Sequence, residues 1–154
     1  MPDAQSNQTP VALPELSYDE LEVGRSFRPL AFEITPEMVR RYVEIVGDAN
    51  RLYTDLEYAR SHGLHACVAP PGLWGVWGRQ AYLQDHAMPA GGVLAGEELV
   101  FVKPAYVGDT LTVQAQVTDR FMRKDQPRAV LEITATGADG DVCGIVRITA
   151  VWPR

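Results

Sequence analysis

The chain has 154 residues, 46% hydrophobic and 22% charged, with a formal charge of −6. That length fits one domain with its own core, and the composition is that of an ordinary globular protein. The acidic balance argues against a nucleic-acid binder, which carries a basic face, and no apolar run approaches the roughly 20 residues that cross a bilayer.

Residues 1–15 are polar, interrupted by prolines and without apolar period. They read as a flexible arm ahead of a domain over 16–154. A charged start followed by an apolar stretch is absent, so no secretion signal is expected and the expected location is cytoplasmic. Cys67 and Cys143 lie in apolar surroundings without a CxxC pair. Two buried free thiols are expected there rather than a disulfide.

In chain order, Phe27 to Ile34 reads as an edge or lead-in strand, because Pro29 cannot donate to a ladder. Thr35-Pro36-Glu37 is a helix start: a cap, a proline at the first position and an acid at the positive end. Val39, Tyr42, Val43 and Val46 then form an amphipathic stripe that Gly47 ends. A short helical turn runs from Asp55 to Arg60. Pro70-Pro71 opens a third helix over Gly72 to about Gln84, apolar almost all round, which belongs inside the fold. Gly72, Gly75 and Gly78 notch it, each at about 1 kcal/mol relative to alanine. Close approach of a strand would offset that, so Gly75 and Gly78 are expected to face one. From there the period is two. Glu98–Lys103, Asp109–Phe121, Ala129–Thr136 and Val142–Trp152 read as strands, with turn residues between them. The predicted architecture is α+β, a curved antiparallel sheet wrapped around a central helix.

The chemistry-bearing side chains crowd between Gly47 and Gly78. Asp48 is a carboxylate or a helix-ending cap, Asn50 a loop-bonding amide, and Tyr53 a hydrogen-bonding phenol or a packed ring. His62 and His65 flank Gly63, as surface histidines or as bases. Trp74 and Trp77 read as core or tunnel wall. No metal-ligand spacing is present, and no cofactor is implied.

The stretch Gly47-Asp48-Ala49-Asn50-Arg51-Leu52-Tyr53-Thr54-Asp55 resembles the hydratase motif G-D-x-N-P-x-H-x-D of the MaoC-like dehydratases and (R)-specific enoyl-thioester hydratases. Val68-Ala69-Pro70-Pro71-Gly72-Leu73 resembles the start of their central helix. Phe101-Val102-Lys103-Pro104 with Val107-Gly108-Asp109 resembles their F-x-x-P-V-x-x-G-D turn. The three motifs stand in the family's order and span about 18–152. The resemblance implies a hot-dog fold paired with a second hot dog, as homodimer or heterodimer. It implies reversible addition of water to an enoyl thioester of coenzyme A or acyl carrier protein, with no nucleic acid and no membrane involved.

By the same resemblance, Asp48, Asn50 and Tyr53 occupy catalytic positions. Val68, Pro71, Gly72, Trp74, Trp77 and Arg79 occupy substrate-binding ones, Arg79 as a helix-face residue or a contact to the carrier's phosphate. The usual mechanism uses the motif's Asp and His, with a backbone N–H at the central helix holding the thioester oxygen. Two departures bear on this. Tyr53 stands at the histidine, and a phenol of pKa about 10 is a poor base at neutral pH. Pro70 stands at the glycine that donates to the oxyanion, and proline has no N–H. The alternatives are a non-catalytic subunit that shapes the acyl tunnel for a partner with the full Asp/His pair, and a non-enzymatic dimer binding a hydrophobic ligand. An apolar pocket between helix and sheet is expected, with Asp48 and Tyr53 at its mouth.

Overall fold

The computed structural model describes residues 12–153. Helix α1 (Pro36–Val46) starts where the Thr35-Pro36-Glu37 signal puts it. The Thr35 hydroxyl accepts the Met38 N–H at 3.1 Å, and Gly47 closes the helix at φ 70°. That left-handed backbone is cheap only for glycine. Helix α2 (Leu56–Ser61) is capped by Asp55, which accepts the Tyr58 N–H at 3.0 Å.

Strands β1 (Leu30–Glu33), β2 (Val93–Phe101), β3 (Thr110–Arg123), β4 (Gln126–Thr136) and β5 (Val142–Val151) form one sheet in the order β1-β3-β4-β5-β2. Every neighbouring pair is antiparallel. β1 is an edge, in keeping with Pro29 just before it. It is shorter than its apolar pattern suggests, and Phe27 instead donates singly to the Ala115 carbonyl. β2 starts earlier than the sequence indicates. Its first half lacks alternation because the register shifts between Leu94 and Gly96.

Helix α3 (Leu73–Tyr82) lies against the inner face of the sheet. That face supplies Leu111, Val113, Leu131, Ile133, Val146 and Ile148, all buried. Full burial of such a side chain is worth about 1.5–3 kcal/mol. Trp77 is fully buried and meets Phe32 edge-on at 5.2 Å between ring centres. The helix glycines divide. A Cβ on Gly78 would lie 3.1 Å from Val146 Cγ1, so Gly78 does face β5 closely. A Cβ on Gly75 would meet only the Glu97 carboxylate, 3.2 Å away. The close strand approach expected at both positions therefore exists at Gly78, and Gly75 looks onto the end of a flexible side chain. Across the sheet, Gly144 leaves room for the Trp74 ring, and any Cβ there would collide with that ring and with the Val100 carbonyl.

Most of the predicted N-terminal arm falls outside the described residues. Pro14 and Leu16 are tied to the fold through Ala87. The Trp152 indole donates to the Leu16 carbonyl at 2.8 Å, joining the two ends of the domain. Cys67 and Cys143 are both free, and burial pushes each thiol above its ordinary pKa. Among the described residues no helix is long and apolar enough to cross a membrane.

Candidate functional site

The motif loop is built from local hydrogen bonds. After the left-handed Gly47, Asp48 Oδ1 accepts the Asn50 N–H at 3.0 Å. Asn50 Oδ1 in turn accepts the Leu52 N–H at 3.0 Å and caps the 3-10 turn Arg51–Tyr53. Short polar side chains bond their own backbone two residues on in this way. Asp48 and Asn50 are thus brought together, both exposed and both holding the turn. Tyr53 is half-buried and packs against the core. The Asp55 carboxylate is held below its ordinary pKa by the Tyr58 N–H and by Arg51. His62 Nδ1 lies 2.9 Å from the Tyr58 carbonyl, and the His65 ring centre lies 4.0 Å from that of Tyr106, the rings tilted by 48°. Among the described residues no hydrogen bond joins either histidine to Asp48.

The lead-in to α3 has few free donors. Val68 N–H goes to the Leu52 carbonyl at 3.0 Å and Ala69 N–H to Ala105 at 2.8 Å. Pro70 and Pro71 have none, and the amides of Leu73 and Trp74 bond back to those prolines at 3.0 and 3.1 Å. Gly72 alone in this stretch keeps an N–H without a partner among the described residues. The Tyr42 hydroxyl rests on Gly72 where a Cβ would stand. A side chain at Gly72 would displace that hydroxyl, and the contact brings a phenol donor to the head of the helix. The sequence showed Tyr42 only as one member of an amphipathic stripe.

Beside α3 lies a pocket of about 800 Å³, between the helix and the inner side of β2 and β5. Gly72 and Arg79 line it, with Gly75, Leu94, Met88 and Ile148. Val68, Pro71 and Trp74 line a separate cavity of about 280 Å³ near Phe101. Trp77 is core and lines neither. Asp48, Asn50 and Tyr53 also line neither.

Gln80, Gln84, Tyr82 and Glu97 also line the large pocket, and none of them was singled out in the sequence. Glu97 pairs with Ile148 across the sheet and so shares its inward side. The Tyr82 phenol is pushed above its ordinary pKa by burial, with Arg79 nearby opposing and Glu97 adding to the rise. The one available signal for Glu97 was its phase, two residues before Leu99 and four before Phe101. The pocket lies along β2, whose outer edge is unpaired. Val93, Leu94, Phe101 and Val102 are each more than half exposed there. The arrangement provides a largely apolar pocket with Gly72, at the helix head, in its lining. It provides no imidazole.

A five-stranded antiparallel sheet in this order, wrapped on one buried helix, is the hot-dog fold. A family model described as the FAS1-like dehydratase domain region matches residues 22–141, and the chain belongs to that family. A UPF0336 protein, SCO4636 of Streptomyces coelicolor, is 32% identical over 109 residues, 66% of this chain and 73% of that protein. The chain is also similar in fold to the (R)-hydratase PhaJ1 of Pseudomonas aeruginosa. The TM-score is 0.78 at 22% identity, over 91% of this chain and 87% of that one. A further likeness is to the HadBC (3R)-hydroxyacyl-ACP dehydratase complex of Mycobacterium tuberculosis. There the TM-score is 0.76 at 23% identity, over 83% of this chain and 95% of that one.

Proposed function

We propose that this chain is one half of a two-hot-dog hydro-lyase that adds water reversibly to an enoyl thioester of coenzyme A or acyl carrier protein. In this reading it supplies the acyl pocket, and a second hot-dog chain with an intact Asp and His supplies the acid–base pair. The observation that carries this is a separation. The large pocket is here, but Asp48, Asn50 and Tyr53 are not in its lining, and Asp48 is tied into a turn. The thioester oxygen would lie at the Gly72 N–H and the Tyr42 hydroxyl, where donors favour a developing enolate charge. The unpaired, apolar edge of β2 is where a second sheet would continue this one, since an open edge is otherwise an aggregation hazard. The HadBC likeness supports the pairing, because that protein is itself a complex.

The test is hydration of crotonyl-pantetheine. The chain alone should stay at background, and the complex with an Asp/His-bearing hot-dog partner should turn over. Asp48→Asn in this chain should leave the complex's rate unchanged, whereas the partner's own aspartate variant should abolish it. Turnover by the chain alone at about 1–1000 per second would defeat the reading.

A further inference from the structure

We propose that the pocket beside α3 takes an acyl chain bearing a hydroxyl group, which donates to the Glu97 carboxylate. This rests on the thioester reading above and specifies the acyl group.

The inner face of β2 is otherwise apolar. Leu94, Leu99 and Phe101 share it with Glu97, opposite Ala150, Val146 and Gly144 of β5. A carboxylate in that row breaks the pattern that the rest of the sheet keeps, and such breaks mark functional positions. It stands exposed on the open edge strand, with Arg79 in the same pocket lining. Arg147, paired across the sheet with Glu98, bonds Glu98 at 2.7 Å and Glu132 at 2.8 Å on the other face. Among the described residues Glu97 has neither a hydrogen bond nor an ion pair. Its carboxylate lies against Gly75, where the helix presents no side chain, and both residues line the pocket, so a ligand there would meet the carboxylate directly.

The surroundings define what fits. Met88, Ile148 and Ala150 form apolar wall, suited to methylenes. A fully apolar chain laid there would strip water from Glu97 and return no partner, which is costly for a charged group. A hydroxyl restores the partner, and sites built around such a bond discriminate strongly against the analogue lacking it. The Tyr82 phenol in the same wall offers a second hydrogen-bonding group. The position is also set. Gly75 is three residues along the helix from Gly72, a rise of about 4.5 Å. With the thioester at Gly72, the hydroxyl belongs a few carbons down the chain.

Calorimetry on the full chain decides this, with hexanoyl-pantetheine and its analogue hydroxylated at the fifth carbon. The hydroxylated ligand should bind about tenfold tighter, the scale of one charge-assisted hydrogen bond. Glu97→Leu should remove or reverse the preference, and Glu97→Gln, which keeps an accepting oxygen, should retain part of it. Unchanged melting temperatures establish that both variants fold. Binding of both ligands without preference, or a preference that survives Glu97→Leu, overturns the inference and leaves the thioester reading standing. No binding of either ligand overturns both.

Discussion

Two neighbouring regions of this molecule are held by opposite means. The motif loop from Gly47 to Asp55 is exposed and polar, and its shape comes from Asp48, Asn50 and Asp55 bonding nearby amides. The central helix is buried and apolar, and its position comes from space: a missing Cβ at Gly78, another at Gly144 facing Trp74. In this chain the Asp and Asn of the family motif bond the loop's own backbone. The pocket lies instead beside α3, along Gly72 and Gly75, where the helix carries no side chain. Position within a motif says which residue stands at a place. What its atoms bond to says what it does there.

The largest effect should come from filling the tightest gap. Gly144→Leu would drive a side chain into the Trp74 ring and the Val100 carbonyl, neither of which is a free chain end. A loss at or beyond the upper end of the usual overpacking range, about 1–3 kcal/mol, is expected in denaturant titration. A stability near wild type would mean that Trp74 can leave its slot, and that the helix is not held by packing.

The two helix glycines separate packing from function. Gly78→Leu meets Val146 and should cost about 1–3 kcal/mol. Gly75→Leu meets only the Glu97 carboxylate at the pocket wall, so its melting temperature should stay close to wild type while acyl-pantetheine binding is lost. Equal destabilisation by the two would show that the pocket side is as closely packed as the core side.

The loop should respond to loss of its acceptors. Asn50→Ala removes the cap of the Arg51–Tyr53 turn, at about 1 kcal/mol. Asp48→Asn keeps an accepting oxygen for the Asn50 amide and should be nearly silent in thermal melts. A large drop for Asp48→Asn would mean that its charge, and not only its oxygen, is in use.

The sequence made the helix boundaries plain, because caps are local: Thr35 with Pro36 and Gly47 after Val46 fall where their side chains and dihedrals dictate. The strands β3 to β5 were legible for a similar reason, since one face of each is buried and alternation follows. β2 was half-read. Its outer edge has no partner, and the irregularity between Leu94 and Gly96 puts Leu94 on the same face as Glu97 despite their odd spacing. Glu97 therefore fell outside the strand that the pattern revealed, and its inward direction went unseen. The separation of Asp48 from the pocket was invisible for another reason. A motif fixes spacing along the chain, whereas the pocket is made by α3 against β2 and β5, which follow later in the chain.

The smallest effect is a pH effect confined to the loop. The Asp55 carboxyl sits below its ordinary pKa, first because it accepts the Tyr58 N–H and next because Arg51 bonds it at 2.6 Å. A carboxylate with a depressed folded-state pKa stabilises the fold fully above its unfolded value of about 3.9, and that contribution is lost as pH falls through the folded value. Asp55→Asn keeps an oxygen for the cap but removes the charge. The wild type should therefore melt slightly above the variant near neutral pH, and the gap should close in acid. Added salt should narrow it too, because the Arg51 pair is at the surface. Gly78→Leu should show a gap of constant size across the same pH range, since nothing it touches titrates. A gap for Asp55→Asn that persisted in acid would assign the difference to the geometry of the cap and not to its charge, and the loop would then be held as the helix is, by fit.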